Sequence, residues 1–252
     1  MAARTGQDAA QMPFIKNLAS SDRKLRTSSL EALTAFLSSR RALPDADARK
    51  LWTGLYYALW MTDRPRPQQA LAADLAELLF SLRPARCREA WLRAFWHVLG
   101  AQWTGIEALR LNKFLLLVRR VWAATVRLAL QGEEGRATAV KVCRECVLDG
   151  EGGRDGQGEL PLGLRLHVLD VWVDELEREG ALGGGPRGEE AEGLVAELGG
   201  MVQALTRNGS KAVRERARDS YEDERLPWAS KAEEDEEDEG EDSDDGWGGI
   251  ED

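Results

Sequence analysis

The stretch LWTGLYYALWMTDRPRPQQALAADLAELLF, residues 51–80, decides how this chain folds. Its apolar residues recur at spacings of three and four, the period of helices that bury one face. Arg64-Pro65-Arg66-Pro67 interrupts the pattern. Proline lacks the N–H that a helix interior needs, yet its fixed φ suits a helix's first turn, so one helix ends near Thr62-Asp63 and another begins at once. A short connection between two amphipathic helices makes them antiparallel neighbours.

The same reading extends in both directions. Phe14 to Leu18 forms a short helix, and Ala19-Ser20-Ser21-Asp22 caps the next, which carries Leu25, Leu30, Leu33 and Leu37 inward. Pro44-Asp45 starts the helix that holds Trp52. Pro84 opens one with Trp91, Phe95, Trp96 and Leu99, and Thr104-Gly105 separates it from the longest, about Ile106 to Leu130. On that helix Leu109, Leu111, Phe114, Leu115, Leu116, Leu117 and Val118 occupy nearly all sides, which places it at the centre. Further helices are expected over roughly 134–148, 162–178, 190–207 and 210–221, with Gly-rich loops over 149–160 and 179–188. Trp228 is expected to dock the chain end on the body.

No convincing alternating strand appears, so the expected class is all-α, an α/α superhelical, HEAT- or armadillo-like array of antiparallel helices. Trp52 and Trp91 lie 39 residues apart, close to a HEAT period, although their flanks do not align as clear repeats. Four regions follow: a flexible N-terminus (1–13), a basic helical body (14–131), further helices in the same domain (132–230), and a disordered acidic tail (231–252). The tail is too polar and charged to offset its ordering entropy.

The formal net charge of −10 conceals a gradient. Residues 1–131 carry 20 Lys and Arg against 10 Asp and Glu, residues 132–232 carry 14 against 21, and residues 233–252 carry none against 13. What matters for an anionic partner is the charge of the part that binds, and that part is basic. The three cysteines are too few for a secreted disulfide framework, and no signal peptide or apolar run long enough to span a bilayer is seen. These features suggest a soluble intracellular protein.

Catalytic patterns are missing. Cys143 and Cys146 form a CxxC on a helix, but zinc needs two more ligands, and Cys87, His97 and His167 show no paired spacing. Both histidines have apolar flanks, and no nucleophile elbow, phosphate loop or HExxH occurs. No enzyme, cofactor, metal or small-molecule substrate is expected.

The cations are more informative. Asp22-Arg23-Lys24-Leu25-Arg26 sets three positive charges in the first turn of a helix, where the dipole is already positive, so a phosphate would relieve it. An ordinary charged face is the alternative. Lys113, Arg120 and Arg127 recur every seven residues and line one side of the central helix, with Arg119 adjacent. Together with Arg64 and Arg66 they suit an RNA backbone, or equally salt bridges to the acidic second half. The interleaved aromatics of single-strand readers are missing.

Three stretches, FIKNLASSDRKLRTSSLEALTAFLSSR (14–40), LWTGLYYALWMTDRPRPQQALA (51–72) and WTGIEALRLNKFLLLVRRV (103–121), resemble the nucleolar ribosomal RNA processing protein 1 family, in the manner of a short fungal-type member. The resemblance covers residues 12–131. It implies a non-catalytic ribosome biogenesis factor of the nucleus and nucleolus, working in ribosomal RNA processing and assembly of the large-subunit precursor. Its implied partners are the pre-ribosomal particle, other large-subunit assembly factors and the ribosomal RNA backbone, with no membrane. Implied contact positions are Asp22, Arg23, Lys24, Asp63, Arg64, Arg110, Lys113, Arg119 and Arg120, and implied structural ones Trp52, Trp60, Trp96, Trp103 and Phe114. Longer members carry a basic extension where this chain is acidic. The competing reading is a HEAT-like adaptor or chaperone for basic proteins that works through the acidic tail.

Overall fold

The computed structural model describes residues 13–148, 160–183 and 188–229. Among them are ten α-helices and no strand. They are α1 (Pro13–Asn17), α2 (Arg23–Ser38), α3 (Asp45–Trp60), α4 (Pro65–Glu77), α5 (Ala85–Gln102), α6 (Ala108–Ala129), α7 (Glu133–Val142), α8 (Leu162–Arg178), α9 (Gly188–Leu205) and α10 (Lys211–Tyr221). Proline punctuation sets the starts, with Pro44, Pro84 and Pro161 just before α3, α5 and α8, and Pro65 opening α4. The expected acidic tail and N-terminus lie outside the described residues, as does most of the 149–160 loop.

The helices form two layers. α3, α5, α7 and α9 pack side by side in one, and α4, α6, α8 and α10 in the other. Cross-helix contacts give the directions within each layer. Arg119 and Arg127 of α6 reach Glu175 of α8 and Glu179 just after it, and Lys141 of α7 reaches Glu89 of α5 while Arg93 reaches Glu145. Pairs that advance together along both helices mean parallel neighbours. With short connections reversing the chain between layers, this is the expected α/α superhelical array.

The helix ends fall on two edges. The starts of α2, α4, α6, α8 and α10 lie at the upper edge, and those of α3, α5, α7 and α9 at the lower. α3, with 16 residues, separates the edges by roughly 24 Å at about 1.5 Å per residue.

A continuous apolar core runs from Ile15 to Leu226. The 39-residue spacing is physical: Trp52, eighth in α3, and Trp91, seventh in α5, place their ring centroids 4.8 Å apart, and the Trp52 indole donates to the Trp91 carbonyl at 3.0 Å. Trp96 and Phe114 are also buried, while Trp60 and Trp103 pack against the core from its margin. α6 is central, touching α4, α7 and α8.

Two expected core positions need correction. Leu25 is 46% exposed and Leu109 is 98% exposed. Each lies in its helix's first turn, beyond the reach of the neighbouring layer, so helical period alone overstates burial there.

Trp228 docks as expected. It stacks on Tyr221 at 4.8 Å, its indole donates to the Tyr221 carbonyl at 2.7 Å, and a methyl group on Gly199 would collide with its ring.

Candidate functional site

The cysteines and histidines belong to the packing. Cys87 and Cys143 are buried, and burial pushes the Cys143 thiol well above its ordinary range, against the thiolate that redox or metal chemistry requires. α7 widens into a π-turn over Cys143–Val147, closed by the Leu148 N–H donating to the Cys143 carbonyl at 2.8 Å. Among the described residues no group of three or more His, Cys, Asp or Glu is placed to hold a metal, and no helix is long and apolar enough to cross a membrane.

His167 Nε2 lies 3.0 Å from the Leu115 carbonyl. A carbonyl only accepts, so Nε2 carries the hydrogen in this pair. Burial first, and Arg119 further, lower the pKa of His167 from 6.5, against the Leu115 bond and Asp170. The folded chain therefore binds fewer protons here than the unfolded chain. The associated stability is present above the unfolded value and is lost as pH falls through it towards the depressed folded one. The expected result is a melting temperature that drops between about pH 7.5 and about pH 5.5, with His167→Gln flattening that slope. An unaltered slope in the variant would remove His167 as its cause.

The predicted cations separate into two groups. Those on α6 are committed to the fold. Lys113 is 5% exposed, and its ammonium donates to the Trp60 and Thr62 carbonyls at 2.6 and 3.0 Å, capping the end of α3. Burial, then the neighbouring Arg110, lower the Lys113 pKa, while Asp63 opposes. Arg110 also donates to the Trp60 carbonyl, pairs with Glu107 and with Asp63 at 3.7 Å, and lies over the Trp60 ring. Arg119 pairs with Asp174 and the fully buried Glu175, and Arg127 with Glu77 and Glu179. Arg120 is half-buried, and its Nε is enclosed with no hydrogen-bond partner. Of the stripe and its neighbour, Arg119 and Arg127 make intramolecular ion pairs, Lys113 bonds carbonyls, and Arg120 has no carboxylate partner among the described residues.

The second group faces solvent at the upper edge. Asp22 caps α2, accepting from the Lys24 N–H at 2.8 Å, so the cap carboxylate supplies the anion that this helix start lacks. Arg26 folds back onto the Ser20 and Ser21 carbonyls. Arg23, Lys24, Arg64 and Arg66 are exposed. Within the described residues nothing joins the α2 cluster to Arg64 and Arg66.

Two surfaces escaped the sequence reading. The exposed large hydrophobic residues Leu25, Tyr57, Met61, Leu109 and Leu162 all lie at the upper edge. At the lower edge, Arg86 donates through Nε and Nη2 to the Arg41 carbonyl at 3.1 and 2.7 Å, joining the α2–α3 and α4–α5 connections. That bond gathers Arg40, Arg41, Arg83, Arg86 and Arg88. Arg88 donates to the Leu82 carbonyl at 2.7 Å, and Arg40 lies over Phe36.

A consistent division runs along the chain. Among the described residues, no arginine from Arg23 to Arg88 has a carboxylate partner, whereas Arg93, Arg110, Arg119, Arg127, Arg136, Arg178, Arg216 and Arg225 all do. Arg144, Arg207 and Arg218, exposed in the second half, are without one as well, so the division is one of proportion.

The model of the family described as "Nucleolar protein, Nop52" matches residues 9–247. The chain is 28% identical over 178 residues to the human ribosomal RNA processing protein 1 homolog B, covering 68% of this chain and 23% of that protein. It is 28% identical over 177 residues to the mouse homolog A, covering 68% and 35%, and 28% identical over 177 residues to the Drosophila melanogaster homolog, covering 68% and 25%. The chain thus spans about a quarter to a third of the length of these relatives.

Proposed function

The chain belongs to the Nop52 nucleolar protein family, and from that premise we propose that it is a non-catalytic ribosomal RNA processing factor of the nucleolus that acts on the large-subunit precursor. The observation that carries the reading is the family match over residues 9–247, nearly the whole chain, joined by relatives named for ribosomal RNA processing. Buried cysteines and a packing histidine support a scaffold rather than a catalyst.

Its working parts are the array's two edges, which contact the backbone of precursor ribosomal RNA and neighbouring assembly factors. The cations that suit this role are those left exposed, Arg23, Lys24, Arg64 and Arg66 among them, whereas Lys113, Arg119 and Arg127 hold the body in shape. Depletion is expected to accumulate unprocessed precursors of the large-subunit ribosomal RNAs while small-subunit RNA continues to mature. Northern analysis of precursor RNAs tests this, and an unchanged profile would overturn the proposal.

A further inference from the structure

We propose that the N-terminal half of the lower edge, built on Arg40, Arg41, Arg83 and Arg86 with Arg88 behind them, grips the phosphate backbone of a folded RNA. The inference rests on the ribosomal RNA reading and assigns it a surface.

Three observations carry it. First, these guanidinium groups are held by carbonyl oxygens or a ring, or make no bond at all, so none of their charge is neutralised by a carboxylate among the described residues. Arg86 uses only part of its five-donor fork on the Arg41 carbonyl, which fixes its position and leaves donors for an external oxyanion. Arg40, Arg41, Arg83 and Arg86 are all exposed. The nearest opposing charges in sequence are Glu89, which pairs with Arg93 and Lys141, and Asp45 and Asp47 in the first turn of α3, where Asp47 is 3.9 Å from Lys50.

Second, among the described residues the lower edge lacks the apolar component of a protein interface. A stable protein contact centres on buried aromatic or aliphatic anchors, whereas nucleic-acid contacts are polar and strongly basic. Among the described residues all the large exposed hydrophobic side chains lie at the upper edge, so charge without apolar area favours phosphate over an acidic protein.

Third, the patch has a boundary. The first turn of α5 carries no acidic residue and that of α3 carries Asp45 and Asp47 against five arginines, whereas those of α7 and α9 carry Glu133, Glu134, Glu189 and Glu190. The balance of charge at this edge therefore favours a polyanion over its first half and disfavours it over its second. Among the described residues the rings nearest these arginines, Phe36 and Phe80, are partly buried with Arg40 and Arg127 over them, so contact with the backbone of a double-helical segment is the mode that fits.

The test uses the full chain carrying Arg41→Glu with Arg83→Glu. Neither side chain makes a hydrogen bond or ion pair among the described residues, and Arg41 holds Arg86 through its carbonyl, so an unchanged melting temperature is expected. Binding to an RNA duplex of about 20 base pairs is measured across a salt series. The expected result is an affinity loss of about ten-fold or more and a salt-dependence slope smaller by roughly 1.5. Arg207→Glu with Arg218→Glu, exposed in the second half of the chain, makes the same charge change away from this patch and should leave both nearly unchanged.

Wild-type binding by the Arg41/Arg83 variant would overturn the inference, and a normal precursor RNA profile in cells depleted of the protein would instead overturn the functional reading beneath it. If the unaltered chain ignores the duplex but is retained, through these same arginines, on a polyglutamate matrix, the surface serves an acidic protein and the inference also falls.

Discussion

Trp52→Ala is expected to lower the free energy of unfolding by about 3–5 kcal/mol, read from urea denaturation. The side chain is 2% exposed, between Trp91 at 4.8 Å and Phe95 at 4.9 Å, both themselves buried in helix α5. Truncation removes a large transfer term and leaves a cavity where α3 meets α5. Trp52→Phe separates the contributions, because it keeps most of the packing and loses the indole's bond to the Trp91 carbonyl. That variant should cost about 1–2 kcal/mol. A loss under about 1 kcal/mol for Trp52→Ala would mean that α3 and α5 do not pack through this pair.

Arg119→Ala is the second large effect, at about 3 kcal/mol. Glu175 is fully buried and is served by Arg119 and by Arg178 at 3.2 Å. Removing one partner of a buried pair leaves a desolvated charge, which typically costs about 3–5 kcal/mol, and the lower end applies because Arg178 remains. Arg119→Met with Glu175→Leu should recover most of the loss, since an apolar pair of similar volume avoids desolvation. A double-mutant cycle measures the coupling, and a coupling near zero would demote the pair to an ordinary surface contact. A weaker RNA affinity in Arg119→Ala therefore has to be judged against its melting temperature.

Much of the architecture was legible because prolines mark where helices begin. The expected helix over 162–178 matches α8, with Pro161 before it and Gly180, at φ +76°, just past its end. Less legible was the end of α7, where a π-turn over the CxxC replaces simple helix. The functional surface was only partly visible. The seven-residue stripe of Lys113, Arg120 and Arg127 is a real property of α6, but the carbonyls that take up Lys113 and the carboxylates of Glu77 and Glu179 that pair with Arg127 lie 50 or more residues away. The lower-edge arginines were missed for the same reason. Arg41 and Arg86 are 45 residues apart and become neighbours only when consecutive repeats stack. Periodicity describes one helix at a time, whereas the fate of a charge depends on which helix the array sets beside it.

Parallel order within each layer has a consequence for the electric field at the edges. At the upper edge the starts of α4, α6 and α8 stand beside the ends of α3, α5 and α7, and at the lower edge the roles reverse. The fractional charges of helix ends, about +0.5 and −0.5, thus alternate along both rims and largely cancel. Each rim's potential is consequently written by its side chains alone. Because the rims lie roughly 24 Å apart, beyond a Debye length of about 8 Å, a charge change in one connection retunes its own rim and leaves the other unaltered.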